Sequence, residues 1–280
     1  MELFSSIWQG LEVLPWAAMA LAVLLSLALA ALGFKRVEYF VSIGYAASIA
    51  AQAVAMPFLY RNTISGWALF QSLLLLTYGL RLGSFLILRE RNPTFQKERA
   101  INADRGARVT GATKIAIWFG VAVLYMLMYL PALLTLSAQF EGLSLPSLWI
   151  GTVIMVAGLA VEAEADREKS RYKSSNPTRF CDVGLFRMVR FPNYFGEMLF
   201  WFGVWSSGIS AYQTWGAWVL ATLGFILIQL VMLGSGRRLE QKQKERYSAN
   251  PAFQAYARRV PVLFPLLPLY SLRSLRIYLG

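Results

Sequence analysis

The chain has 280 residues, of which 57% are hydrophobic and 15% are charged, and its formal net charge is +12 at pH 7. A mean hydropathy of +0.48 exceeds what a water-soluble core requires. The absence of histidine excludes histidine-rich iron sites, Ser-His hydrolases and most zinc enzymes. The only cysteine, Cys181, excludes an intrachain disulfide and a cysteine metal cluster, and it is expected to be a small buried residue. We therefore predict no metal site, and a redox activity would need an organic cofactor.

Apolar stretches recur along the chain, and crossing the hydrocarbon takes roughly 20 such residues in a helix. They predict an all-α, polytopic membrane bundle of seven transmembrane helices that forms a single domain over residues 1–280. The segment Met1–Gln9 has no basic n-region, so the first stretch is interpreted as a spanning helix and not as a cleaved signal peptide. The predicted spans are residues 13–33, 38–60, 64–88, 113–137, 146–165, 194–211 and 213–234.

The basic residues predict the orientation of these helices. Of the 27 lysines and arginines, 25 fall in segments that lie on one side of the membrane if all seven stretches cross it. These segments are the first interhelical loop, the 89–114 loop, the loop after the fifth span and the chain after the seventh. Because basic residues favour the cytoplasm, the N-terminus is expected outside and the C-terminus in the cytoplasm. Contact with anionic lipid alone is an alternative explanation for the basic 89–114 loop.

Only Arg61 and Arg81 depart from this pattern, and Arg81 lies inside the third predicted span. It can snorkel to the cytoplasmic boundary, or it can belong to a site together with Tyr78, which lies nearly one turn deeper. A buried phenol usually packs and makes one hydrogen bond, but one beside a cation can donate a proton to a carbonyl oxygen. Gln52 is the other polar group at that depth.

The end of the fifth span carries three acidic residues. Glu162 and Asp166 share one helix face, whereas Glu164 points elsewhere. Like charges at this spacing destabilise a helix unless they face a hydrated cavity that contains hydrogen-bond donors. Basic groups that can receive phosphates follow, namely Arg171, Lys173 and Arg179. Such a helix end is suited to a nucleotide, with carboxylates binding hydroxyls and amines.

The run from Phe180 to Glu197 supplies the second helix end. Pro192 suits the first turn of a helix, so that Asn193, Tyr194 and Glu197 fall within one turn. A carboxylate at the membrane boundary is costly unless it is paired or serves a site. Pairing of Glu197 with Arg187 or Arg190 is the structural alternative. There is no GxGxxG sequence after a strand, so a Rossmann domain is not expected.

These residues resemble the steroid 5-alpha-reductase family. The matching run is Cys181-Asp-Val-Gly-Leu-Phe-Arg187 followed by Arg190-Phe-Pro-Asn-Tyr-Phe-Gly-Glu197. The resemblance covers roughly the last 120 residues, with a weaker match at Tyr78–Arg81. It implies a seven-helix membrane fold that binds NADPH on the cytoplasmic side and reduces the carbon–carbon double bond of a 3-oxo-4-ene steroid. It also divides the domain into residues 1–137 on the substrate side and residues 146–280 with the NADPH-binding signature.

The resemblance also implies roles for individual residues. Tyr78 would hydrogen-bond the substrate ketone with Gln52 nearby, and Arg81, the intramembrane cation described above, completes the predicted catalytic set. A set of residues is predicted to bind the cofactor. Its members match cofactor-contacting positions of the family, lie beside such positions or belong to the same signature run. They are Glu162, Asp166, Arg171, Lys173, Arg179, Arg190, Asn193, Tyr194, Glu197, Arg237, Arg238 and Glu240. Phe191 departs from the family, which often has Arg-His-Pro where this chain has Arg-Phe-Pro.

Two alternatives remain on sequence grounds. Membrane methyltransferases that use S-adenosylmethionine on isoprenylcysteine or phospholipids share an Arg-His-Pro-x-Tyr-x-Gly pattern, and a sterol-binding protein without catalysis could use the same scaffold. The expected partners are an apolar steroid or enone lipid that enters from the bilayer and the membrane lipids themselves, with no nucleic acid. We expect a monomer in a bacterial inner membrane, with its site facing the cytoplasm.

Overall fold

The computed structural model describes residues 11–91 and 96–275, in which α-helices dominate and no strand occurs. Predictions that involve Met1–Gln9 and Arg276 lie outside these residues, and the side chains of Lys97 and Arg105 are not described. The helices are α1 Trp16–Ala30, α2 Ile43–Leu59, α3 Gly66–Arg91, α4 Gln96–Ala107, α5 Gly111–Phe140, α6 Pro146–Ser175, α7 Pro192–Ser207, α8 Trp215–Tyr247 and α9 Pro251–Arg259.

Six helical segments of the described chain are long and apolar enough to cross a membrane. The sixth predicted span differs from expectation, because α7 has 16 residues and ends at Ser207, where a short 3-10 turn at Ile209–Ala211 follows. By contrast, α6 and α8 continue for about ten residues beyond their predicted apolar stretches. Large apolar side chains such as Leu24, Phe58 and Leu88 are 62–65% exposed, as expected for a surface that faces lipid.

The chain forms two compact units. The first contains the described residues up to Thr152 together with Val204–Phe225. Its central helix is α5, against which α1 and α2 pack. Helices α2 and α3 touch closely at Gly79, where a Cβ atom would lie 2.8 Å from the carbonyl oxygen of Ala46. Small residues at such crossings let helix backbones meet within a membrane.

The second unit contains Val153–Gly203 and the described residues from Ile226 onwards. Here α6 and α7 meet through two glycines: a Cβ atom on Gly158 would lie 2.4 Å from the backbone nitrogen of Phe200, and one on Gly196 would lie 2.6 Å from that of Glu162. The extended segment after α9 returns to the start of α7, where Arg190 and Phe191 donate backbone hydrogen bonds to Pro261 and Val262.

Candidate functional site

A cluster of buried tyrosines lies in the first unit. Tyr78 on α3 is fully buried, and its hydroxyl is 2.8 Å from that of Tyr45 on α2, in a hydrogen bond that either can donate. Tyr45 also stacks on Tyr125 of α5 with ring centroids 5.3 Å apart. The hydroxyl of Tyr125 donates to the carbonyl oxygen of Phe40 at 2.6 Å. The close crossing at Gly79 brings the Tyr78 turn against α2, and this explains the phenol pair.

Gln52 lies on the same helix as Tyr45 and is also fully buried. Its amide nitrogen donates to the hydroxyl of Ser26 at 3.1 Å and to the carbonyl oxygen of Tyr125 at 3.4 Å. Within the described residues, its Oε1 atom and the hydroxyl of Ser48 one turn earlier are buried without a hydrogen-bond partner. These two atoms can bind a polar group of a ligand, because burying them unpaired costs free energy.

The sequence therefore located Tyr78 and Gln52 in a buried polar region, but it missed Tyr45 and Ser48. The hydrogen bond that the structure records for Tyr78 goes to Tyr45, while the Gln52 amide donates to Ser26 and Tyr125. A seven-residue spacing between Tyr45 and Gln52, with Ser48 between them, could have revealed this polar face of α2. Arg81 follows Tyr78 by three residues on α3 and is half-buried.

The second unit buries two carboxylates at the crossing of α6 and α7. Glu162 is 5% exposed and Glu197 is 7% exposed. Their helices touch at Gly196, which directly precedes Glu197 and whose Cβ position faces the Glu162 backbone. Carboxylates inside a membrane protein are costly and commonly mark a ligand site. The structure thus brings together the two helix ends that the sequence predicted for a nucleotide.

The other predicted polar residues of these helix ends are more accessible. Asp166, Asn193 and Tyr194 are half-buried, whereas Arg171 and Arg179 are exposed. Within the described residues, the side-chain amide of Asn193 makes no hydrogen bond, so both its donor and its acceptor are open to a ligand. Glu164, which the sequence placed on another face, pairs with the exposed Arg167 at 2.9 Å.

Lys173 has a different environment from the one expected for a phosphate ligand. Its ammonium group donates to the carbonyl oxygens of Arg179 and Pro177 and to the hydroxyl of Tyr247. These contacts use all three donors of the ammonium group. The structure therefore gives Lys173 a role in holding the 177–179 turn against α8, and leaves the exposed Arg171 and Arg179 guanidinium groups open to phosphates.

Arg190 and Glu240 were both predicted to contact a cofactor, and the structure pairs them with each other. Their side chains are 2% and 7% exposed, and Arg190 Nη2 lies 3.1 Å from Glu240 Oε1. The same Nη2 donates to the carbonyl oxygen of Tyr270 at 2.7 Å, and Glu240 Oε2 accepts from the backbone of Leu272 at 2.8 Å. This ion pair holds the C-terminal segment in place.

Of the two other residues after the seventh predicted span, Arg237 is half-buried, and Arg238 is exposed with a hydrogen bond to Ser235.

The first part of the signature run is largely structural. Gly184 has a φ of +54°, and its Cβ position is filled by the carboxylate of Glu168, which accepts a hydrogen bond from the backbone of Leu185 at 2.8 Å. Tyr256 donates to the carbonyl oxygen of Phe186 at 2.7 Å. Cys181 is buried, as predicted, and burial raises the pKa of its thiol, which fits a packing role.

Comparison with known proteins identifies the family. A family model described as a protein of unknown function, DUF1295, matches residues 11–260. The chain belongs to this family, a membrane family associated with steroid 5-alpha-reductase-like proteins. No curated protein and no solved structure matches the chain.

Proposed function

We propose that this protein is a membrane-embedded reductase that uses NADPH to reduce the carbon–carbon double bond of a 3-oxo-4-ene steroid. The observation that carries the proposal is the pair of hydroxyl groups of Tyr78 and Tyr45, 2.8 Å apart in an apolar helix bundle. An enone accepts a hydride at its β-carbon only when its oxygen is polarised. A buried neutral phenol is a donor that can polarise the oxygen without histidine or metal.

The residues of the second unit fit a nucleotide. The buried Glu162 and Glu197 provide acceptors for hydroxyl and amide groups, and the open amide of Asn193 provides both a donor and an acceptor. The exposed guanidinium groups of Arg171 and Arg179 suit phosphates. NADPH, when bound, supplies the hydride for C5 of the substrate.

The chain itself then has to stabilise the charge that develops on the substrate. In this mechanism Tyr78 donates its hydrogen bond to the ketone oxygen while Tyr45 donates to the oxygen of Tyr78. Such a chain of hydrogen bonds strengthens each donor. As C5 accepts the hydride, the electron pair of the double bond moves towards the ketone oxygen, and the enolate then takes a proton from solvent water at C4. Gln52 Oε1 and Ser48 Oγ offer acceptors for a hydroxyl group of the bound lipid.

The proposal includes seven spans with the N-terminus outside, the C-terminus in the cytoplasm and a site that faces the cytoplasm of a bacterial inner membrane. A helix of 16 residues such as α7 is about 24 Å long, and the 3-10 turn after it adds length towards the roughly 30 Å of hydrocarbon. The segregation of basic residues supports this orientation. Reporter fusions at residue 142 and after residue 275 test it, since the two positions should report opposite sides.

The decisive experiment uses purified protein in lipid nanodiscs, a 3-oxo-4-ene steroid and NADPH in which both hydrogens at C4 of the nicotinamide are deuterium. We expect a product that is heavier by one deuterium and one hydrogen, with the deuterium at C5. Activity with NADPH should exceed that with NADH, and the substitution Arg179→Ala should reduce this preference. Methyl transfer from S-adenosylmethionine to a lipid, or steroid binding without any reduction, would replace the proposal with one of its alternatives.

A further inference from the structure

The C-terminal segment carries a surface that the proposed reductase chemistry does not use. Residues 264–269 form a turn in which Leu266 is 93% exposed and Leu267 is 54% exposed. Two prolines, Pro265 and Pro268, flank these leucines. Two neighbouring leucines exposed on one ordered turn form an apolar surface, and such surfaces mark sites of contact with membranes or partners when they are contiguous.

The turn is held rigidly at its base. The backbone of Val262 donates to the carbonyl oxygen of Leu269 at 2.8 Å, which closes the turn. Directly after it, the buried ion pair of Arg190 and Glu240 binds the backbone of Tyr270 and Leu272. The leucines at the tip are therefore presented outward on a fixed support.

A basic groove, called here the C-terminal groove, includes Tyr270 and Ser271, which follow the turn directly along the chain. It has a volume of about 340 Å³ and lies between the end of α8, α9 and residues 270–273. Lys244, Arg258 and Arg273 line it together with the apolar Phe253, Ala257 and Tyr270. A second groove of about 680 Å³ shares Lys244 and Arg273 with it.

The charge of the C-terminal groove is unbalanced. The only carboxylate among its described lining residues is Glu240, and that carboxylate is neutralised by Arg190. No carboxylate in residues 11–91 or 96–275 forms an ion pair with Lys244, Arg258 or Arg273. Three exposed cations in a groove, together with two exposed leucines on the turn that leads into it, match a ligand that has an anionic head and an apolar tail.

We propose that the C-terminal groove binds the phosphate head of an anionic phospholipid while Leu266 and Leu267 insert into the adjoining acyl region. Each lysine or arginine near an anionic membrane surface strengthens binding about fivefold. The apolar tip adds the favourable transfer of leucine side chains out of water. None of the three cations belongs to the residues proposed above to bind NADPH, and Arg190 and Glu240, which also line the groove, are paired with each other.

Native mass spectrometry of the detergent-solubilised full chain tests the head-group site. The protein is titrated with dioctanoyl phosphatidylglycerol, dioctanoyl phosphatidylcholine or inorganic phosphate. The triple substitution Lys244→Gln, Arg258→Gln and Arg273→Gln should weaken phosphatidylglycerol binding about 100-fold. The charge-matched control Arg61→Gln, Lys242→Gln and Arg259→Gln should retain it. Equal binding of phosphatidylcholine, or full competition by inorganic phosphate, would overturn the proposal.

NADPH titration of the same triple variant separates this site from the proposed reductase site. We expect NADPH affinity to stay within twofold of that of the unsubstituted protein. If the variant loses NADPH and keeps phosphatidylglycerol, the groove belongs to the nucleotide and the lipid proposal is wrong. Failure of the unsubstituted protein to bind NADPH would count against the reductase alone.

A fluorescent probe tests the insertion of the turn. In a Cys181→Ala background, an NBD fluorophore is attached to Leu266→Cys, and in a control to Ala249→Cys in the exposed polar link between α8 and α9. In nanodiscs that contain phosphatidylglycerol, a nitroxide on carbon 5 of the acyl chain should quench the probe at residue 266 several-fold more than the probe at residue 249. Equal quenching at the two positions would contradict insertion of the turn.

Discussion

The two units of the molecule stabilise buried polar groups in different ways. The first unit buries neutral groups, among them the hydroxyls of Tyr45 and Tyr78 and the amide of Gln52, which hydrogen-bond to neighbouring helices of the same unit. The second unit buries charges, namely Glu162, Glu197 and the ion pair of Arg190 with Glu240. An open acceptor on a buried neutral group has a moderate cost in free energy, whereas removing the partner of a buried charge costs more. The first arrangement therefore suits a carbonyl substrate, and the second suits a polar cofactor and rigid positioning.

The largest effect that this difference between the units predicts is a loss of stability when the buried ion pair of Arg190 and Glu240 is broken. Arg190→Met should lower the free energy of unfolding by about 3–5 kcal/mol, because it leaves the charge of Glu240 buried without its partner. The double variant with Glu240→Met should recover much of this loss. Unfolding in detergent, followed by tryptophan fluorescence, measures it. Arg167→Met removes the exposed ion pair on α6 and should have no measurable effect, and a similar result for Arg190→Met would show that the buried pair is dispensable.

In the first unit the largest effect is expected on catalysis. Tyr78→Phe should lower kcat about 100- to 1000-fold, as loss of one donor to a developing oxyanion does, while NADPH affinity is unchanged. Steady-state turnover and cofactor titration measure the two quantities separately. Tyr129→Phe, which alters another fully buried tyrosine in the same unit, is the control. Activity of Tyr78→Phe close to that of the control would reduce Tyr78 to a packing role.

We expect one added methyl group at the contact between α6 and α7 to destabilise the protein. Gly196→Ala places a Cβ atom 2.6 Å from the backbone nitrogen of Glu162, so the helices must separate, at a cost of about 1–3 kcal/mol. Thermal unfolding in detergent provides the measurement. Gly120→Ala, where nothing lies within 4 Å of the added atom, should be neutral or slightly stabilising. Equal tolerance at both positions would indicate that the crossing is looser than described.

We expect the buried carboxylate of Glu197 on α7 to strengthen NADPH binding. Glu197→Gln keeps the shape of the side chain and removes its charge, so it should weaken NADPH about tenfold, since a hydrogen bond to a charged group is worth about 1.5–3 kcal/mol. The value of kcat at saturating NADPH should change little. Isothermal titration gives the affinity, with Glu245→Gln as a control on an exposed carboxylate. An unchanged affinity would remove Glu197 from the cofactor site.

The smallest effect is expected at Tyr45, one of the two residues that the sequence missed. Tyr45→Phe removes the hydroxyl that supports Tyr78 and should lower kcat about three- to tenfold through the weakened chain of hydrogen bonds. The KM for NADPH should stay constant. A purely structural role for Tyr45 would instead reduce stability and affect kcat and KM for the steroid together.

The sequence by itself determined the membrane class and the stretches of apolar helix, because hydrocarbon thickness sets their length and composition. It also located Tyr78, Gln52, Glu162 and Glu197 as buried or boundary polar groups, since such residues are conspicuous in an apolar chain. It could not decide which of them touch. The partner of Tyr78 depends on the crossing of α2 and α3 at Gly79, and the pairing of Arg190 with Glu240 joins residues 50 positions apart. Both contacts follow from helix packing, which is fixed by backbone approach at small residues and not by local periodicity. For the same reason only the structure could show that Leu266 and Leu267 are exposed on an ordered turn and that Lys244, Arg258 and Arg273 line one groove.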